Sequence, residues 1–171
     1  RYPGFRSVDG AAEATGLPDA SVDVVLAAQA FHWFDRVRAR EEFRRILRTP
    51  GWLVLVWNTR RTSGTPFLSA FEDLLREFSL DYEAVRHDRI THDEIAAFFG
   101  GPYRHEVIPN QQTLDREGLL GRVRSASYPP APGHPSHAPM IRALDDLFSQ
   151  HARDGHVVIE YDTDIFFGRL R

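Results

Sequence analysis

The sequence predicts an α/β protein. Two apolar runs, Val22-Asp-Val-Val-Leu-Ala-Ala28 and Trp52-Leu-Val-Leu-Val-Trp57, are short and almost continuously apolar, which suits strands buried on both faces of a parallel sheet. Between them, Ala39, Phe43, Ile46 and Leu47 recur at helical spacing and define one buried helix face. A strand, a covering helix and a second strand in that order are the unit from which such sheets grow.

Taken in order, Phe5-Arg-Ser-Val8 is short enough for a strand, with Asp9-Gly10 as the turn out of it. Residues 11–16 read as a loop or short helix closed by the Leu17-Pro18-Asp19 turn. After the first apolar run the chain changes character. Gln29, His32 and Trp33 bring amide, imidazole and indole groups together just before Asp35, whose carboxylate suits a helix N-cap. Ligands in open α/β sheets bind beyond the carboxyl ends of strands, so residues 29–34 are where chemistry is expected.

Arg36, Arg40, Arg44 and Arg48 form a basic stripe along the helix, but Arg38/Glu42 and Glu41/Arg45 interleave as ordinary i,i+4 pairs. The stripe is a solvated face rather than a phosphate site. Thr49-Pro50-Gly51 ends the helix ahead of the second apolar run, and Asn58, Thr59 and Arg60 follow at its carboxyl end. If the two strands are adjacent and parallel, these polar groups lie beside Gln29 and His32.

Thr65-Pro66 opens another helix, with proline at its first position and Phe67, Phe71, Leu74, Leu75 and Phe78 as its apolar stripe. Thr91-His-Asp-Glu94 has the capping-box pattern of a short helix through Ile95, Phe98 and Phe99, stopped by Gly100-Gly101. His105 to Leu114 reads as a strand interrupted by Pro109, and Leu119, Leu120 and Val123 fit a helix entered near Asp115. Pro129 to Pro139 is a proline-rich loop, Ile141, Leu144 and Phe148 mark the last helix, and Val157 to Leu170 is a long final strand.

Composition narrows the function. The 171 residues are expected to form a single domain, and 42% hydrophobic with 26% charged residues is ordinary for a soluble globular chain. The net charge is −3, and all 21 basic residues are arginine, which argues against broad binding to nucleic acid or an anionic membrane. The chain has no cysteine, so disulfides, thiolate metal sites and cysteine nucleophiles are excluded. No run approaches the about 18 apolar residues of a membrane span, and no signal peptide is recognisable, so a cytoplasmic location is expected for a chain numbered from Arg1. His134-Pro-Ser-His137 has a metal-like spacing, but no carboxylate lies close by and no metal site is assigned.

The segments Gly10-Ala-Ala-Glu13, Leu17 to Asp23 and Phe31-His-Trp-Phe-Asp35, with Glu42-Phe-Arg-Arg-Ile-Leu-Arg48 and Pro50-Gly-Trp52, resemble the class I S-adenosylmethionine-dependent methyltransferases, in particular the methyltransferase type 11 group. Gln112 to Arg122 is similar to the same group. The resemblance implies a Rossmann-like sheet, present in part as strands three to seven of seven, with helices on both faces and an antiparallel last strand. It implies S-adenosylmethionine as methyl donor and a small molecule as acceptor.

By that resemblance Gln29 and Ala30, at the end of strand four, lie near the cofactor, and the backbone of Ala12 and Glu13 is able to meet the adenine. The acidic residue common at the position of Ala11 is absent. Phe31, Trp33, Trp57, Asn58 and Arg60 are expected around the acceptor, with Trp33 either walling that pocket or packing beneath the loop. His32 is open to two readings, a general base and a loop anchor.

The family's glycine-rich loop and ribose-binding acid would lie upstream of Arg1, and no two glycines here are spaced Gly-x-Gly. Without strands one and two, Val22 to Ala28 becomes an exposed apolar edge, which is expected either to pair with another chain, a homodimer included, or to have something unusual packed over it. Two function classes therefore stand: a methyltransferase, and an inactive remnant or half-domain that associates with itself or with another chain.

Overall fold

A computed structural model describes residues 3–79, 90–126 and 128–171. Its elements are β1 (Val22–Ala28), a 3-10 turn (Phe31–Trp33), α1 (Arg36–Ile46), β2 (Leu47–Arg60), α2 (Pro66–Phe78), α3 (His92–Phe99), β3 (Tyr103–Leu114), α4 (Arg116–Arg124), α5 (His137–His151) and β4 (Val157–Gly168). Among the described residues the strands form one four-stranded sheet in the order β1-β2-β4-β3. β1 and β2 run parallel, with Val24 opposite Trp52 and Ala28 opposite Val56. β4 is antiparallel to β2: Phe167 lies against Trp52 and the Thr163 hydroxyl reaches Asn58, so partners fall in number on one strand as they rise on the other. The expected antiparallel closing strand is thus present.

The chain divides into two compact units, Arg1–Trp57 with Ile90–Val107 and Asp164–Arg171, and Asn58–Arg89 with Ile108–Thr163. The first unit is built on aromatic packing. Phe31, fully buried, meets Phe98 edge-on at 4.7 Å and Trp57 at 5.9 Å, and Phe43 adds a further edge contact to Phe98. Each such ring removed from water contributes about 2–3 kcal/mol, so these few residues dominate the unit's stability. α1 forms because Asp35 caps it, accepting from the Arg38 backbone N–H, and because Ala39, Phe43 and Ile46 all land on its buried side. α3 has the full reciprocal capping box between Thr91 and Glu94 and ends at Gly100, whose φ of 64° is the left-handed conformation glycine tolerates.

The second unit packs Phe67, Phe71, Leu74 and Leu75 of α2 against Leu119, Met140, Leu144 and Ile159. Thr65 caps α2 by accepting from Leu68, with Pro66 at the first helical position, as the sequence predicts.

Four expectations are corrected. Phe5 to Val8 forms no strand; Phe5 is 77% exposed, because a strand needs a ladder partner and the order above offers none beyond β1. β1 is not buried on both faces: it is the terminal strand, with Val24 51% and Leu26 62% exposed and only Ala27 buried. Glu42 does not pair with Arg38 on a solvated face but is buried and pairs with Arg45. Pro139 lies in the first turn of α5, where a proline is tolerated because its missing N–H has no intrahelical partner, so the loop before α5 is shorter than expected.

Candidate functional site

Beside β1, within the first unit, lies a cleft of about 450 Å³ walled by Ala12, Leu17, Leu26, Ala30 and Phe34. Its floor is apolar because β1 offers only aliphatic side chains there. The wall formed by residues 12–17 is held by a polar clamp from α1. Glu42 Oε1 accepts the Thr15 backbone N–H at 2.9 Å and the Thr15 hydroxyl at 2.5 Å, while Arg45 donates to both Glu42 oxygens at 2.8 Å. Hydrogen bonds from the Arg45 guanidinium, followed by the Thr15 hydroxyl, lower the Glu42 carboxyl to about 2. Arg45 also donates to the Leu17 carbonyl and to Asp19, so one guanidinium ties helix, loop and turn together.

The structure brings two of the four sequence-predicted cofactor residues, Ala12 and Ala30, onto this one cleft. Glu13 turns its carboxylate to the start of α1, where Oε1 accepts the Asp35 backbone N–H at 2.8 Å. Gln29 lies where β1 ends; its N–H donates to the Val56 carbonyl at 2.9 Å and its φ is 53°. A non-glycine residue held in that region is strained, and such positions gather at ligand sites.

His32 lies in the 3-10 turn that follows, partly buried, its ring 4.7 Å from that of Trp33. Trp33 itself is 74% exposed. Phe31 and Trp57 meet in the aromatic core of the first unit, where Trp57 is only 6% exposed and its indole N–H has no hydrogen-bond partner among the described residues. Asn58 and Arg60 belong to the second unit, and each is engaged there: Asn58 Oδ1 accepts from the Thr163 hydroxyl at 2.6 Å, and Arg60 donates to Glu72 at 2.5 Å with its guanidinium 5.2 Å from the centre of the Phe71 ring. The clamp residues Thr15, Glu42 and Arg45 escape the sequence reading. Their signal is an acid inside an otherwise apolar helix face, next to Phe43.

No helix among the described residues is long and apolar enough to cross a membrane.

Residues 1–55 match the family model of the methyltransferase domain. An uncharacterized methyltransferase of Mycobacterium tuberculosis is 41% identical over 119 residues, covering 70% of this chain and 45% of that protein. An uncharacterized methyltransferase-like protein of Schizosaccharomyces pombe is 40% identical over 81 residues, 47% of this chain and 31% of its own length. The chain thus matches less than half the length of these curated relatives.

Among solved structures, a type II methyltransferase candidate from Anaeromyxobacter dehalogenans superposes with a TM-score of 0.63 at 23% identity, covering 99% of this chain and 74% of that one. A methyltransferase candidate from an antibiotic biosynthesis pathway of Anabaena variabilis gives 0.53 at 22% identity, covering 96% and 74%. These two likenesses carry the fold, and the sequence matches carry the kinship: in sequence over residues 1–55 and over 70% of its length, and in fold, this chain is similar to methyltransferases.

Proposed function

We propose that this chain takes part in methyl transfer from S-adenosylmethionine to a small molecule, with the cleft beside β1 receiving the adenine end of the donor. The observation that carries the reading is the meeting of Ala12 and Ala30 on one apolar cleft next to the strained Gln29. The fit is good for a flat, largely apolar ring: the cleft has aliphatic walls and two aromatic side chains, Phe34 and Phe43, and its outer wall is fixed by Glu42 rather than left to wander. When bound, the donor supplies a methyl group already activated on a sulfonium. What the chain must then do is orient, exclude water and hold a proton. Ala12 and Ala30 line the adenine, the clamp preserves the spacing between loop and strand, and His32 is the proton acceptor for the acceptor molecule. A cytoplasmic location belongs to the same reading.

Calorimetric titration of S-adenosylhomocysteine into the folded chain tests it. Micromolar binding at one site per chain, weakened by Ala30→Trp, is the expected result. No heat from a folded sample would overturn it.

A second reading is favoured by the exposure of Val24 and Leu26 on the terminal strand. In it the β1 edge pairs with another chain, a second copy included, since an unpaired apolar edge is a template for strand addition. Sedimentation across a concentration series distinguishes the two, because only this reading makes the sedimentation coefficient rise with concentration.

A further inference from the structure

The second unit holds a cation whose setting its described residues do not explain. Arg122, on α4, is half-buried, yet among the described residues its one polar partner is neutral: Nε donates to the Tyr161 hydroxyl at 3.3 Å. Its neighbours in the same unit behave differently. Arg116, at the other end of α4, pairs with Asp145 at 2.8 Å, and Arg61 pairs with Asp162 at 2.6 Å. A guanidinium drawn partly out of water without a carboxylate beside it is costly unless an anion completes it.

The surroundings orient that guanidinium. Tyr161 passes its own O–H to Gln112 Oε1 at 2.8 Å, so Arg122 Nε donates to Tyr161 and Tyr161 to Gln112, a directed chain ending on the amide oxygen that holds the Arg122 plane from one side. With Nε so committed, the two terminal nitrogens make an end-on fork, the geometry that matches the paired oxygens of a carboxylate. Tyr128 is within electrostatic reach of the same cation. Burial pushes its hydroxyl above the ordinary tyrosine range, against the opposing pull of Arg122 and Arg60, so it stays a neutral donor beside the cation.

We propose that Arg122, held by Tyr161 and Gln112 and within electrostatic reach of Tyr128, is an anion-recognition site that takes the carboxylate of a small molecule. Anion binding at Arg122 stands independently of the methyltransferase reading.

The test is a nuclear magnetic resonance titration of the folded chain with sodium benzoate and with its neutral counterpart benzamide, each with and without S-adenosylhomocysteine. Benzoate should bind at least about tenfold more tightly than benzamide, because only the carboxylate satisfies the fork. Nuclear Overhauser contacts should join its ring protons to those of Tyr128 and Tyr161. Arg122→Gln should weaken benzoate by at least about tenfold and leave benzamide unmoved, with Arg122→Lys between the two.

Equal affinity for the two probes, contacts at other residues, no benzoate binding, or full binding by Arg122→Gln would each overturn the proposal. Should that variant fail to fold, the benzoate-to-benzamide ratio and the contacts in the unsubstituted chain still decide. Benzoate binding without S-adenosylhomocysteine binding would remove the methyltransferase reading and leave this site standing; the converse would remove only this site.

Discussion

Glu42 and Thr15 are joined by two hydrogen bonds to one carboxylate oxygen, across 27 residues of sequence and from a helix to a loop. Because Ala12 and Leu17 wall the cleft on either side of Thr15, the carboxylate governs the width of the candidate cofactor site as well as the stability of the first unit. Glu42→Ala removes charge-assisted bonds to Thr15 and Arg45 and should cost about 2–3 kcal/mol in urea unfolding. It should also speed hydrogen exchange at the Thr15 amide well beyond the change seen for amides of β2. Unchanged Thr15 exchange in the Glu42→Ala chain would show that the loop is held by its apolar contacts instead.

Acid should unfold the protein over a defined window. Glu42 is lowered to about 2 by the Arg45 guanidinium and then by Thr15, and Glu94 to about 2 by the Thr91 backbone N–H and then by Arg36. Both carboxyls bind protons more readily in the unfolded chain, where they titrate near 4.5. Their contribution is therefore complete above pH about 4.5 and is lost as the pH falls toward about 2. Glu94 is about a third exposed, so solvent screens its share and Glu42 dominates. Unfolding free energy measured in urea should be level from pH 7 to about 5, then fall, and Glu42→Gln should flatten the fall. An unchanged slope in that variant would place the acid sensitivity elsewhere.

Much of the fold is legible because its signals are local. Thr65-Pro66, Thr91 with Glu94, and Asp35 all mark helix starts that the structure keeps, since capping depends on residues within one turn. The site is half legible for a different reason. Ala12 and Ala30 follow from family resemblance and meet on one cleft, whereas the clamp joining Thr15 to Glu42 is a pairing of distant residues that helical periodicity cannot show. Periodicity gives Glu42 a partner one turn away, because on an isolated helix that is the neighbour available. Burial of β1 is overestimated on similar grounds: an apolar run reports what a strand is suited to, while the neighbours it obtains are set by the sheet order.

The exposed edge makes its own prediction. Val24 and Leu26 contribute little to the core, so replacing either with lysine should change unfolding free energy by about 0.5 kcal/mol or less. A charge on an edge strand opposes pairing with another chain. Val24→Lys should therefore shift any dimer seen in sedimentation toward monomer, with a rise in solubility at fixed concentration. A dimer of unaltered affinity in the Val24→Lys and Leu26→Lys chains would mean that another surface holds the copies together.

In the second unit Glu72 stands between two arginines, taking Arg60 at 2.5 Å on one oxygen and Arg76 at 3.0 Å on the other. Both Glu72 and Arg60 are largely removed from water, with side-chain exposures of 7% and 12%. A buried ion pair adds little net stability when compared with an apolar replacement, but breaking one half leaves a charge stranded. Glu72→Gln should therefore cost about 3–5 kcal/mol, most of it from Arg60 losing its carboxylate partner while its stacking on Phe71 prevents easy escape to solvent. Arg60→Gln in the same chain should recover part of that loss, giving a coupling energy of about 1–3 kcal/mol in a double-mutant cycle. If the two losses simply add, Arg60 draws its stability from the Phe71 ring and its other contacts rather than from Glu72, and the pair is a consequence of α2 packing rather than one of its causes.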